Sequence, residues 1–183
     1  MPAKKKITKD KILATALTLL QEQGYEAINI KTLAKALGCS TQPVYLSFSG
    51  MDELRCELVP LAVKQFETFM RANSEDGKIR LYGMAYIQFA KQEPKLFQFV
   101  FMRANAFSEI KKILVPITQS TMQELAEEYA ISMEEADYLH DQLWMHAHGI
   151  ASMIATAFCD WDMKKVEHML AACQDAFLGK YEA

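Results

Sequence analysis

The sequence predicts an all-α protein, and three observations predict it. The 183 residues include only seven glycines and five prolines, too few for the frequent turns of an all-β chain. Apolar residues recur at three- and four-residue steps almost throughout, the period of an amphipathic helix. Capping residues stand at the ends of those stretches. There is no strand pattern of any length and no internal repeat.

The elements follow in order. Over Thr8–Gln23, Ile12, Leu13, Ala16, Leu17, Leu19 and Leu20 keep the helical period. Thr8 caps the start, Asp10 suits the positive end of the helix dipole, and Gly24 stands at the C′ position. Asn29 caps a short helix, Ile30–Leu37, which Gly38 ends. Ser40 is expected to cap a third helix, Thr41–Phe48, where Pro43 falls in the tolerant first turn. Ser49 with Asp52 resembles a capping box for a fourth helix. That helix carries Leu54, Leu58, Leu61, Phe66 and Phe69 on one side, and Pro60 within it should kink it. Further helices are expected near 75–92, 94–104, 108–130, 132–158 and 162–180. Ser132 with Glu135 forms another capping box, and Asp160 or Asp162 caps the last helix. No flexible linker separates residues 50 and 51, so the expected domains, 1–50 and 51–183, are joined rigidly through helix four.

Composition excludes several classes. The four cysteines, Cys39, Cys56, Cys159 and Cys173, form no CxxC pair. A zinc ribbon and a disulfide scaffold are therefore disfavoured, and reduced thiols in a cytoplasmic protein are expected. No apolar h-region follows Met-Pro-Ala-Lys-Lys-Lys, as a signal peptide would require. Residues 142–159 lack charge for 18 positions, near the lower limit for a membrane span. Gln142, His146, His148 and Gly149 within them, and Asp141 and Asp160 beside them, favour a buried helix. No GxSxG, P-loop or dinucleotide fingerprint is present, so no enzyme and no cofactor are expected. His146 and His148 are two apart and cannot both face one ion on a regular helix; with no HExxH motif, no metal site is expected.

The net charge of −3 hides an asymmetry. Residues 1–50 hold seven lysines against three acids, and residues 51–183 are correspondingly acidic. A basic segment on an acidic body fits a module that meets a polyanion. Charge alone reads equally well as a solvated lysine tail. The short helices joined by Gly38-Cys39-Ser40 sharpen the choice, because they form a helix-turn-helix candidate braced by the first helix. A recognition helix offers polar N-terminal side chains to base edges while its other face packs on support helices. Thr41, Gln42, Pro43 and Ser47 are the outward candidates, with Val44, Leu46 and Phe48 expected on the packing face. Glutamine can pair bidentately with adenine, and threonine can bond to a base or touch a thymine methyl.

Residues 8–55 resemble the TetR family of bacterial transcriptional regulators. The resemblance rests on Leu33-Ala34, Gly38, Ser40, Val44-Tyr45, Phe48 and Glu53-Leu54, with Gly24-Tyr25 and Asn29 upstream. It implies an N-terminal helix-turn-helix DNA-binding domain on a larger helical domain for ligand binding and dimerisation. It also implies that Tyr45 touches a phosphate, that Thr41, Gln42 and Pro43 face bases, and that Ser40 and Ser47 lie beside them. Asn29 and Lys31 would stand near the backbone, and Lys4, Lys5, Lys6 and Thr8 would form an arm. Met51 stands where the family usually has a lysine, which removes one phosphate contact that the N-terminal lysines could replace.

Methionine and aromatic residues are dense in the second part. Tyr86, Phe89, Phe97, Phe101, Met102, Trp144, Met145 and His148 are the candidates for a ligand pocket there, with ordinary core packing the alternative for each. Glu93-Pro94-Lys95-Leu96-Phe97 and Trp144-Met-His-Ala-His148-Gly149 are similar to a Trp-His-Gly subgroup of the family. Trp144 and His148 are four apart and share a helix face, and Gly149 would let another helix approach closely. In the family the last two helices pair with their copy, which puts Met153, Val166, Met169, Leu170, Cys173 and Phe177 in a dimer interface. The expected function is a homodimeric repressor released from double-stranded, pseudo-palindromic operator DNA by a small apolar or aromatic effector. Control by a protein partner without an effector, and activation instead of repression, are the alternatives.

Overall fold

The computed structural model describes residues 7–74 and 79–181. Among them are nine α-helices, one 3-10 turn and no strand. The chain divides into two compact units between Gln65 and Phe66. The first holds α1 (Lys9–Gln23), α2 (Ile30–Leu37), α3 (Gln42–Ser47) and the start of α4 (Met51–Asn73), which runs through the boundary. The second holds α5 (Ile79–Gln92), α6 (Pro94–Phe101), α7 (Phe107–Glu128), α8 (Met133–Ala155) and α9 (Met163–Leu178).

Local signals explain most of the ends. Thr8 Oγ1 accepts the Lys11 N–H at 3.3 Å. Asn29 Oδ1 accepts the Lys31 and Thr32 N–H groups at 3.0 Å each, and Thr32 Oγ1 closes the box on the Asn29 N–H. Gly38 sits at φ +64, ψ +36, the left-handed turn where a side chain would be strained. Ser132 and Glu135 form a reciprocal capping box, and Asp162 caps α9.

Several ends differ from expectation. Ser40 does not cap α3; Thr41 takes that position in a helical conformation with no side-chain cap. At α4 the Ser49 N–H and Oγ both donate to Glu53 at 2.7 Å, while Asp52 meets Arg55 at 3.4 Å. Gly50 intervenes before the helix starts and shifts the reciprocal carboxylate one residue along. Helix α6 ends at Phe101, with Met102 already out of the helical conformation, and α8 ends at Ala155, two residues before Ala157 turns left-handed. The expected start near residue 75 lies outside the described residues.

In the first unit α1 packs on α2 and α3. Its core takes Ile12, Ala16 and Leu20 from α1, Leu33 from α2, and Val44 and Phe48 around α3. Leu46, expected on that packing face, is instead 80% exposed. A six-residue helix makes under two turns, and Val44 and Phe48 already fill its inward side. In the second unit α5 lies against α6, α7, α8 and α9. A Cβ on Gly83 of α5 would meet Leu170 of α9 at 2.9 Å, so glycine permits that approach. Gly149, expected to do this, has open space where its Cβ would stand. No described helix is long and apolar enough to cross a membrane.

Candidate nucleic-acid interface and apolar cavity

The first unit presents α3 at its surface. Pro43 lies in the opening turn, where its missing N–H costs no helical bond. Gln42 is exposed, and Tyr45 is 64% exposed, so its phenol does not pack into the three-helix core. Thr41 and Pro43 are half-buried, and Ser40 and Lys31 are exposed. Ser47 is half-buried and its hydroxyl donates back to the Pro43 carbonyl at 2.8 Å. Asn29 and Thr8 use side-chain oxygens as caps. Lys4, Lys5 and Lys6 lie outside the described residues. Lys9, which no sequence motif singles out, pairs with Glu57 and with Glu53 and lies 4.9 Å from the Phe48 ring centroid. Its hydrogen bond to Glu57 holds the ammonium above its ordinary pKa.

The second unit encloses a cavity of about 480 Å³. That lies within the range of small-molecule sites, ~300–1,000 Å³. Tyr86 of α5, Phe101 of α6, Leu114 of α7, Trp144 of α8 and Leu170 of α9 contribute to its wall. Lys111, Asp137, His140 and Asp141 give it a polar edge. Two of its polar side chains bond within the chain. Arg103 donates to Glu109 at 2.9 Å and Thr121 to the Ile117 carbonyl at 3.1 Å.

Three predicted pocket residues, Tyr86, Phe101 and Trp144, line this cavity. Phe89 and Phe97 are buried but lie outside the lining. They belong to an edge-to-face cluster in which Phe89 meets Phe66 at 5.1 Å and Phe97 meets Tyr86 at 5.4 Å. Met102 and Met145 are exposed: Met102 is the residue after α6, already out of the helix, and Met145 lies on the outward side of α8. His148 reaches the site through Tyr86, whose hydroxyl lies 2.9 Å from His148 Nδ1. Trp144 stacks on the imidazole with centroids 5.0 Å apart. With the phenol donating to Nδ1, the neutral imidazole carries its proton on Nε2, and the pair meets without a net charge. The wall from α7, notably Ile110, Leu114 and Thr118, has no counterpart among the predicted residues.

Burial pushes His148 below the usual histidine pKa, and it does the same to His140 against the opposing pull of Asp141. The folded chain therefore binds protons less readily than the unfolded one. Stability should be fully present above about pH 6.5, the ordinary histidine value, and should decline as pH falls below it. Chemical denaturation at pH 7.5 and 5.5 measures that decline, which His148→Gln should reduce.

The predicted interface residues divide into two groups. Val166 and Leu170 are buried within the chain, at the four-residue step that continues to Gln174 and Leu178. Met169, Cys173 and Phe177 form the flanking, half-buried stripe of α9, and Met153 is half-buried on α8. Phe177 also packs beside Leu125 and Leu139. Among the described residues no group of three His, Cys, Asp or Glu could hold a metal ion.

Comparison with known proteins agrees with this architecture. Residues 12–58 match the family described as bacterial regulatory proteins, tetR family. Residues 79–177 match the tetracyclin repressor-like C-terminal domain, which lends no support to the narrower Trp-His-Gly resemblance. No curated protein matches the chain significantly in sequence. A transcriptional regulator from Rhodococcus sp. Rha1 is 19% identical with a TM-score of 0.70, over 95% of this chain and 97% of that one. The fatty acid degradation regulator FadR from Bacillus halodurans is 18% identical with a TM-score of 0.64, over 96% and 97% of the two chains. The Streptomyces coelicolor protein ActR, solved in complex with (S)-DNPA, is 18% identical with a TM-score of 0.50, over 97% and 100%. At these identities the likeness shows the fold.

Proposed function

The chain belongs to the TetR family of bacterial DNA-binding transcriptional regulators, and from that premise we propose that it is a homodimeric repressor released from its operator by a small, largely apolar or aromatic molecule. The observation that carries this reading is the cavity of about 480 Å³ in the second unit. Most of its wall is aromatic and aliphatic, and the Arg103 and Thr121 side chains on it already bond within the chain. A ligand seated there gains mainly from apolar burial. It lowers DNA affinity only so far as it binds the released conformation better, with coupling of ~5–150-fold typical of such linkage.

The exposed stripe of α8 supports the dimer. Tyr138 and Met145 are exposed, Gly149 leaves open space, and half-buried Met153 continues the same face. With the Met169 and Cys173 flank of α9 it offers a surface for a second copy. Isologous pairing would set two recognition helices on a pseudo-palindrome. Tyr45 and Gln42 supply the exposed phosphate and base contacts, with Thr41, Pro43, Ser40 and Lys31 around them. The cavity favours a small-molecule effector over control by a protein partner alone.

Selection of genomic fragments by the purified chain tests the proposal. A palindromic site near the gene is expected, bound by a dimer, with affinity falling steeply as salt rises. No enrichment over random fragments from a folded dimer would overturn it.

A further inference from the structure

Leu46 stands on the outside of α3, although its apolar side chain suits the packing face. It is 80% exposed, the most exposed large apolar side chain described in the first unit. It follows Gln42 by four residues, so the two share one face of α3, a turn apart. A shallow depression beside it is lined by Ile7, Thr8, Lys9, Pro43, Leu46 and Ser47. The polar side chains of that depression are engaged within the chain. Ser47 donates to the Pro43 carbonyl, Thr8 accepts from Lys11, and Lys9 pairs with Glu53 and Glu57. What the depression offers outward is apolar surface from Ile7, Pro43 and Leu46.

A base-pair edge in the major groove presents one apolar group, the C5 methyl of thymine. We propose that Leu46 is a specificity-determining residue that reads a thymine methyl, one turn along α3 from the base contacted by Gln42. The apolar contact favours thymine over cytosine, which lacks the methyl. This assignment rests on α3 being the recognition helix.

Deoxyuridine removes that methyl and keeps every hydrogen-bonding group of thymine. The selected operator is therefore prepared with each thymine replaced singly by deoxyuridine, and binding of the full chain and of Leu46→Ala is measured at fixed salt. At one thymine in each half-site, the parent should lose about fourfold in affinity, the equivalent of one buried methyl. Leu46→Ala should bind the thymine and uracil forms alike, about sixteenfold below the parent on the thymine operator, because the dimer loses the contact in both half-sites. Its melting temperature should match the parent's, since the side chain is exposed. A parent indifferent to every replacement, or a Leu46→Ala protein that discriminates as the parent does, would overturn the assignment. Failure of the underlying reading is separable, because Gln42→Ala would then bind the all-thymine operator with full affinity.

Discussion

With Gln42 and Tyr45 both replaced by alanine, operator affinity is expected to fall by at least about 100-fold, while the fold and the dimer survive. Each half-site loses a bidentate base contact worth ~1–3 kcal/mol and a phosphate contact, and a dimer loses both twice. Both residues are exposed, so no core atom is removed, and substitutions of that kind change stability by roughly 0.5 kcal/mol or less. Titration of the selected operator, with size-exclusion chromatography and a thermal melt in parallel, separates the two effects. Parental affinity in the double variant would show that α3 does not read the operator. Single variants divide the loss. Gln42→Ala should relax preference at one base pair, whereas Tyr45→Ala should weaken binding evenly across sequences.

Phe97→Ala should do the reverse. Its ring is fully buried and meets Tyr86 at 5.4 Å, Phe101 at 5.2 Å and His148 at 5.8 Å. Truncating such a ring costs ~3–5 kcal/mol, through lost transfer energy and the void left behind. At ~2–4 °C per kcal/mol for a chain of this size, the melting temperature falls on the order of 10 °C. Below the new midpoint, operator binding should be retained. A variant that melts like the parent would place Phe97 outside the core. Trp144→Ala provides the contrast, because Trp144 is half-buried on the cavity wall and its loss should bear more on ligand affinity than on stability.

Local chemistry was legible in the sequence wherever a cap or a glycine decides the matter alone. Thr8, Asn29, Gly38, Ser132 and Asp162 act within three residues of themselves, so their spacing carries the information. The phase of α3 was not legible, since six residues cannot distinguish Leu46 as an outward side chain from Leu46 as a core one. On α9 the apolar face is wide enough to serve two purposes, and only tertiary packing sends Val166 and Leu170 inward while Met169 and Cys173 stay at the flank. The cavity was half legible. Trp144 and Tyr86 were found by residue type, but Ile110, Leu114 and Thr118 come from a helix whose pattern is that of ordinary core. A concave wall assembled from six helices leaves no periodic trace in any one of them.

The stacking of Trp144 on His148 gives the chain an optical gauge of its own interior. Only two tryptophans are present, and Trp161 lies away from the cavity wall, beside the Lys165 ammonium at 5.3 Å. Replacing Trp161 by phenylalanine leaves the ultraviolet emission to Trp144 alone. A molecule entering the cavity displaces water from that indole and shifts its emission, and a proton arriving on His148 quenches it. Occupancy and protonation can thus be followed by fluorescence without a dye, a label or a DNA target.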